Sequence, residues 1–199
     1  MKRILAYSFF YDLYQELIGC KTFLKRYADE YIRVKENQKI LDLGCGTATI
    51  CSFFPKNIKY VGIDISDKYI KTAKKSYPDF SFQCFNVCDE IMLDSPFDII
   101  FGEAIISGLN EQQCISMFER IKKNSDKNTR IIFSDMNYRD DDNFFQKFLY
   151  KSERNSYIRR RDEYIELLSR YFEIKKEVVI SNIYRIPYSK LIFECSLKD

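Results

Sequence analysis

Residues Ile40 to Ile50 read ILDLGCGTATI. An apolar run broken only by Asp42 leads directly into Gly44-Cys45-Gly46, and the apolar pattern resumes beyond Thr47. Such a stretch predicts a buried strand, Lys39 to Leu43, that delivers the chain into a glycine loop and then into a helix through TATICSFF. Glycines in such a loop let backbone approach a ligand that a Cβ would exclude. The next apolar run, IKYVGID, predicts a second strand closed by Asp64, so the segment reads as a βαβ unit.

Outward from that unit the same alternation continues. Ser66 is positioned to cap a helix through DKYIKTAKKSY, which Tyr77-Pro78 ends, and FSFQCF follows as a third strand. FDIIFG, NEQQCISMFERIKK and RIIFSD then predict a fourth strand, a helix and a fifth strand. Strands separated by helices call for a mostly parallel sheet covered on both faces. The last third changes rhythm: EYIELLSRYF reads as a helix, and EIKKEVVI and YSKLIFECSL as strands. Only SNIYRIP joins those two strands, too short a link for a helical crossover, so they should pair antiparallel. The chain is expected to form a single domain over 1–199. Residues 1–36 would supply an N-terminal helical lid with apolar groups at helical spacing, Phe23, Tyr27 and Tyr31 among them. The charge-dense stretch 138–161 would form a helical excursion over the sheet edge.

Composition narrows the function. Lys and Arg number 32 against 29 acidic residues, so the net charge of +3 does not by itself call for a nucleic-acid or membrane partner. Seven irregularly spaced cysteines without a CxxC pair suit reduced thiols, and the absence of histidine removes the usual zinc ligand sets. No run of 18 apolar residues occurs, and Asp12 and Glu16 interrupt the apolar N-terminus early. A cytoplasmic, soluble protein without a metal is expected, its oligomeric state left open.

Asp64 lies about 20 residues beyond the glycine loop, as an acid that accepts both hydroxyls of an adenosine ribose would. A dinucleotide site would carry a third glycine where Thr49 stands, to admit a pyrophosphate. Asp42, two residues before the first glycine, would instead place a carboxylate near a cationic ligand such as a sulfonium or ammonium. That pattern favours S-adenosylmethionine over NAD.

DLGCGT, the strand ending in GIDIS and the antiparallel C-terminal pair together resemble class I S-adenosylmethionine-dependent methyltransferases over roughly Lys39 to Leu197. The resemblance implies an α/β Rossmann-like three-layer sandwich with a seven-stranded sheet in the order 3-2-1-4-5-7-6, the last strand antiparallel. It implies that Asp42, Leu43, Gly44, Cys45 and Gly46 surround the methionine part of the cofactor, that Asp64 binds the ribose and that Ile65 flanks the adenine. Asn86 would read the adenine amino group beside Val87, with Asp89 as a competing candidate, and Gly102 and Glu103 would meet the cofactor near the transferred methyl. Ala48 stands where the family has its third glycine, a change the fold accepts if its φ is negative. Ser107 and Gly108 stand where many small-molecule members carry a His pair, so any proton acceptor must be another group.

For the acceptor, the segments Gly102 to Ile106 and Asp135 to Arg139 are expected to line the pocket, with Glu103 and Tyr138 as catalytic candidates. Tyr7, Tyr11 and Tyr14 fall on one helix face, either as core aromatics or as a lid in which Tyr11 touches the cofactor. Arg159, Arg160 and Arg161 read as a solvated helix face rather than a phosphate site. Nomination of Glu103, Asp135 and Asn137 as metal ligands is not favoured. The resemblance extends to small bacterial methyltransferases and supports the reaction class more than the acceptor; a small-molecule acceptor such as a sugar or another biosynthetic intermediate is expected. The alternatives are an RNA or protein methyltransferase and a non-catalytic cofactor-binding subunit.

Overall fold

The computed structural model of the chain describes residues 20–90, 93–140, 142, 144, 157–181 and 189–198. Tyr7, Tyr11 and Tyr14 lie outside them. The strands are β1 (Lys39–Leu43), β2 (Lys59–Asp64), β3 (Ser81–Cys84), β4 (Ile99–Glu103), β5 (Arg130–Tyr138), β6 (Arg159–Arg160), β7 (Phe172–Ser181) and β8 (Ser189–Leu197). The α-helices are α1 (Cys20–Arg26), α2 (Asp67–Ser76), α3 (Glu111–Lys123) and α4 (Arg161–Ser169).

The sheet runs β3-β2-β1-β4-β5-β8-β7, with the two-residue β6 paired to the end of β5. Leaving β6 aside, this is the expected seven-strand order. Strands β1 to β5 are mutually parallel, and β8 runs antiparallel to both β5 and β7. Phe133 faces Phe193 across β5 and β8, and Val178 faces Ile192 across β7 and β8.

Both faces of the sheet are covered, which is why its central strands read as continuous apolar runs. On one face Phe133, Ile131 and Phe193 pack under Phe118 and Met117 of α3 and Tyr164 and Leu168 of α4. On the other, Phe101, Ile132 and Ile192 pack under Phe23, Tyr27 and Tyr31 of the N-terminal segment and Ile70 and Ala73 of α2. The described part of the predicted 1–36 segment is thus core-facing: α1 continues as a wide π turn, Tyr27–Ile32, that ends at Arg33 with φ 54°. Helix ends leave carbonyls without intrahelical donors. Here Arg130 of β5 fills that need, donating to the carbonyls of Tyr31 (2.8 Å) and Ile32 (2.6 Å) while its Nε reaches Glu194 (2.7 Å).

Local signals set the helix starts. The Ser66 hydroxyl accepts from the Tyr69 amide at the start of α2, and Asn110 and Gln113 form a reciprocal capping box on α3. TATICSFF departs from expectation, because only a 3-10 turn, Thr49–Phe53, forms there. Pro55 disfavours helical backbone at the residue before it, and Phe54 is extended with φ −98° and ψ 154°. Of the 138–161 stretch, Tyr138 ends β5, Arg159–Arg160 form β6 and Arg161 begins α4; residues 145–156 lie outside the described residues.

Candidate active site

The carboxyl ends of β1, β2 and β4 carry most of the predicted site residues. Gly44 (φ 73°) and Gly46 (φ 55°) adopt left-handed backbone, and the amides of Gly44 and Cys45 both donate to the Ile63 carbonyl, at 2.8 and 2.9 Å. The loop is therefore held against the end of β2. Asp64 completes the attachment: one carboxylate oxygen accepts the Gly46 amide at 3.0 Å and the other the Ser66 amide at 2.7 Å. An ionised carboxylate offers about four acceptor positions, so Asp64 retains capacity for a ligand's hydroxyls. Ile65, next in the chain, is 73% exposed although large and apolar, which suits a face that covers a flat ring.

Ala48 corrects an expectation. Its φ is 58°, not negative, so it keeps the glycine-like backbone of the position it occupies. A left-handed non-glycine residue costs about 1–2 kcal/mol. Ala48 is fully buried, and its amide donates to the Cys45 carbonyl at 2.8 Å, contacts that offset the strain.

Asp42 lies beneath the loop, 3% exposed, and accepts the Tyr60 hydroxyl. Burial pushes its carboxyl up to about 7, with nearby Asp64 adding to the rise, while the Tyr60 bond opposes it. Burial also drives the neighbouring thiols of Cys45 and Cys51 upward, which favours their protonated form. Leu43 is a core residue at the end of β1.

Past β3, the Asn86 side-chain oxygen accepts the Cys88 amide at 3.0 Å and its carbonyl accepts the Asp89 amide at 2.9 Å, a turn that aims the chain back across the sheet edge. Val87 packs into the core beside it. At the end of β4, Gly102 gives its carbonyl to the Tyr27 hydroxyl at 3.3 Å, and Glu103 forms an ion pair with Lys190 of β8. Lys190 is 4% exposed and its ammonium lies 4.5 Å from the Phe23 ring centroid. Register places Glu103 opposite Ser134 and Lys190 opposite Met136, so the pair bridges over β5 on the face that α1 covers.

Sequence reasoning missed Lys190. A lysine set two residues before Ile192 inside an otherwise apolar strand was the available signal. It also misread Arg159, which is not part of a solvated helix face: its guanidinium is partly buried and donates to the carbonyls of Ile106 and Leu109, both at 2.9 Å. Arg160 and Arg161 are exposed and pair with Asp140 and Glu177.

Beyond the end of β5 a cleft of about 560 Å³ opens between Asn137–Asp140, the first residues of α4 and Val179 of β7. Tyr138 lines it. Glu103 ends β4, the strand next to the one that carries Tyr138.

A glycine loop on β1, an acid at the end of β2 and a β8 that runs antiparallel at one side of the sheet form one arrangement, and a family model described as a methyltransferase domain matches residues 34–176. The chain belongs to this methyltransferase-domain family. The fold of this chain is shared with solved structures of low sequence identity. A TehB-like S-adenosylmethionine-dependent methyltransferase from Corynebacterium glutamicum superimposes with a TM-score of 0.66 at 16% identity, over 88% of this chain and 87% of the other. Magnesium protoporphyrin IX methyltransferase from Synechocystis, solved with bound S-adenosylhomocysteine, gives 0.68 at 16% identity over 92% and 86%. Among curated sequences, the 235L protein of Invertebrate iridescent virus 6, which carries a methyltransferase name, is 29% identical over 79 residues. That match takes in 38% of this chain and spans 29% of the viral protein's length. Among the described residues no helix is long and apolar enough to cross a membrane.

Proposed function

We propose that the chain transfers the methyl group of S-adenosylmethionine to a small-molecule acceptor, a sugar or another biosynthetic intermediate, seated at the carboxyl edge beside β5. The cleft of about 560 Å³ carries this reading, because its volume lies within the range typical of small-ligand pockets, about 300–1,000 Å³, and its lining mixes an apolar wall, Val179, with polar and charged groups. When bound, the cofactor supplies an electrophilic methyl group on a sulfonium, and the protein's task is alignment and exclusion of water.

In this reading Asp64 receives the ribose hydroxyls on the acceptor positions its two amide bonds leave open, and Ile65 covers the adenine. Asn86 has one side-chain oxygen lone pair committed to Cys88 and one free for the adenine amino group, with Val87 packed behind it. Leu43, Gly44, Cys45 and Gly46 offer backbone to the methionine part, and Asp42 answers its positive charge. Gly102 borders the reacting centre. Tyr138 holds the acceptor in the cleft, and Glu103, paired with Lys190 at the end of β4 and outside the cleft lining, is the carboxylate proposed as proton acceptor. The expected N-terminal lid and the contact of Tyr11 with the cofactor belong to the same proposal.

The test has two stages. Calorimetric titration with S-adenosylmethionine, S-adenosylhomocysteine and NAD should give saturable binding of the first two, and binding of NAD alone would overturn the cofactor assignment. Formation of S-adenosylhomocysteine should then follow addition of small-molecule pools. Turnover with RNA or protein substrates but with no small-molecule pool would overturn the acceptor class.

A further inference from the structure

Between β4 and α3 the chain turns sharply, and two side chains of opposite charge grip that turn by its backbone. Asp135 of β5, 1% exposed, accepts the amide of Ser107 at 2.8 Å and that of Ile106 at 3.3 Å. Arg159, entering from β6, donates one guanidinium nitrogen to the Ile106 carbonyl and the other to that of Leu109. The turn also receives the Tyr157 amide on the Ser107 carbonyl, at 2.9 Å. Charge-assisted bonds of this kind are about twice as strong as neutral ones. The turn 105–109 is thus tied on its donor side to one strand and on its acceptor side to another.

The residue this clamp presents is Ile105. A Cβ added to Gly44 would lie 2.9 Å from Ile105 Cδ1, and one added to Gly102 would lie 2.6 Å from Ile105 Cγ2. The isoleucine therefore fills the space that the absence of two side chains creates, one on the cofactor loop and one at the end of β4. Ala104, just before it, is held at φ 54° with its amide on the Ser134 carbonyl at 2.7 Å, so the direction in which Ile105 leaves the strand is also set by backbone.

We infer that Ile105 is a wedge that keeps the Gly44–Gly46 loop in its cofactor-accepting shape, and that Asp135 and Arg159 are positioning residues that act through it. This rests on the cofactor reading above, yet one of its readouts does not need the cofactor. Loss of the clamp lets the turn relax, Ile105 withdraws from Gly44, and the loop amides of Gly44 and Cys45 lose their steady hold on the Ile63 carbonyl.

The test compares Ile105→Ala and Arg159→Leu with wild type by hydrogen exchange and by titration with S-adenosylhomocysteine. Ile121→Val, a core change in α3, serves as a control for general destabilisation. Exchange at Gly44 and Cys45 is expected to quicken about tenfold relative to amides of β4 and β5 in both test variants but not in the control. Affinity for S-adenosylhomocysteine is expected to fall about tenfold in both, and by less in Ile105→Val, which loses the Cδ1 contact to Gly44 but keeps the Cγ2 contact to Gly102. Loop exchange that stays at the wild-type rate, or that quickens equally in the control, would overturn the wedge. Quickened exchange in a protein whose wild type binds no S-adenosylhomocysteine would leave the wedge standing and remove the cofactor reading instead.

Discussion

The hydroxyl of Tyr60 on β2 donates to the carboxylate of Asp42 on β1, and together they bury an ionisable pair directly under the glycine loop. Because burial raises the folded carboxyl of Asp42 to about 7 from an ordinary value near 3.8, the folded state binds its proton more tightly than the unfolded chain does. Stability from this group is present below pH 3.8, declines as pH rises through about 7 and is then flat. Asp42→Asn keeps an acceptor for Tyr60 and removes the buried charge. It should raise stability by about 4 kcal/mol at pH 8 and flatten the fall between pH 4 and 7, checked by urea unfolding from pH 4 to 8. A smaller fall should persist from Asp135, which burial lifts to about 6. The same variant should lose affinity for S-adenosylmethionine about tenfold more than for S-adenosylhomocysteine, since only the former carries a sulfonium charge in addition to the amino-acid zwitterion that both share.

Asp64 joins the glycine loop to the start of α2 through two amides, so its removal acts on both fold and ligand. Asp64→Ala should cost about 1–3 kcal/mol in unfolding free energy without abolishing the fold. Calorimetry with S-adenosylhomocysteine should show at least about a hundredfold weaker binding. Tight binding by a folded Asp64→Ala protein would remove the residue from the ribose site.

The Glu103–Lys190 pair is asymmetric, with the lysine buried and the carboxylate partly exposed. Glu103→Ala deprives a buried ammonium of its counter-charge and should destabilise by about 3 kcal/mol. Lys190→Met fills a similar volume and leaves a carboxylate that water can reach, so its cost should stay below about 1.5 kcal/mol. Equal costs in urea unfolding would show that desolvation of the lysine is not what distinguishes the partners.

Gly102 has no room for a side chain, since an added Cβ would meet Ile105 at 2.6 Å and the Leu43 carbonyl at 3.3 Å. Gly102→Ala should destabilise by about 1–3 kcal/mol. In the double variant with Ile105→Ala the two costs should fall short of their sum by about 1 kcal/mol, because truncating Ile105 clears the space. Additive costs in denaturant titrations would mean that Leu43, not Ile105, excludes the side chain.

The amino-acid sequence by itself determined the alternation of strands and helices, the glycine loop, the acid at the end of β2 and the helix starts at Ser66 and Asn110, while the strand order came only through the family resemblance. Each of these depends on residues close together in the chain: apolar runs of strand length, a glycine where backbone turns left-handed, a side chain that bonds an amide three positions on. Pro55 was equally local, and its effect on TATICSFF could have been read from the sequence. The tertiary structure alone decided that Ala48 keeps a glycine-like φ, that Lys190 meets Glu103 across 87 positions, and that Asp135 and Arg159 close on one turn from two strands. Those partners come together only once the sheet order and the facing of each strand are set, so no local pattern carries them. Whether Arg159 is solvated or buried depends on a neighbour more than 50 positions away, and only the packed sheet brings that neighbour to it.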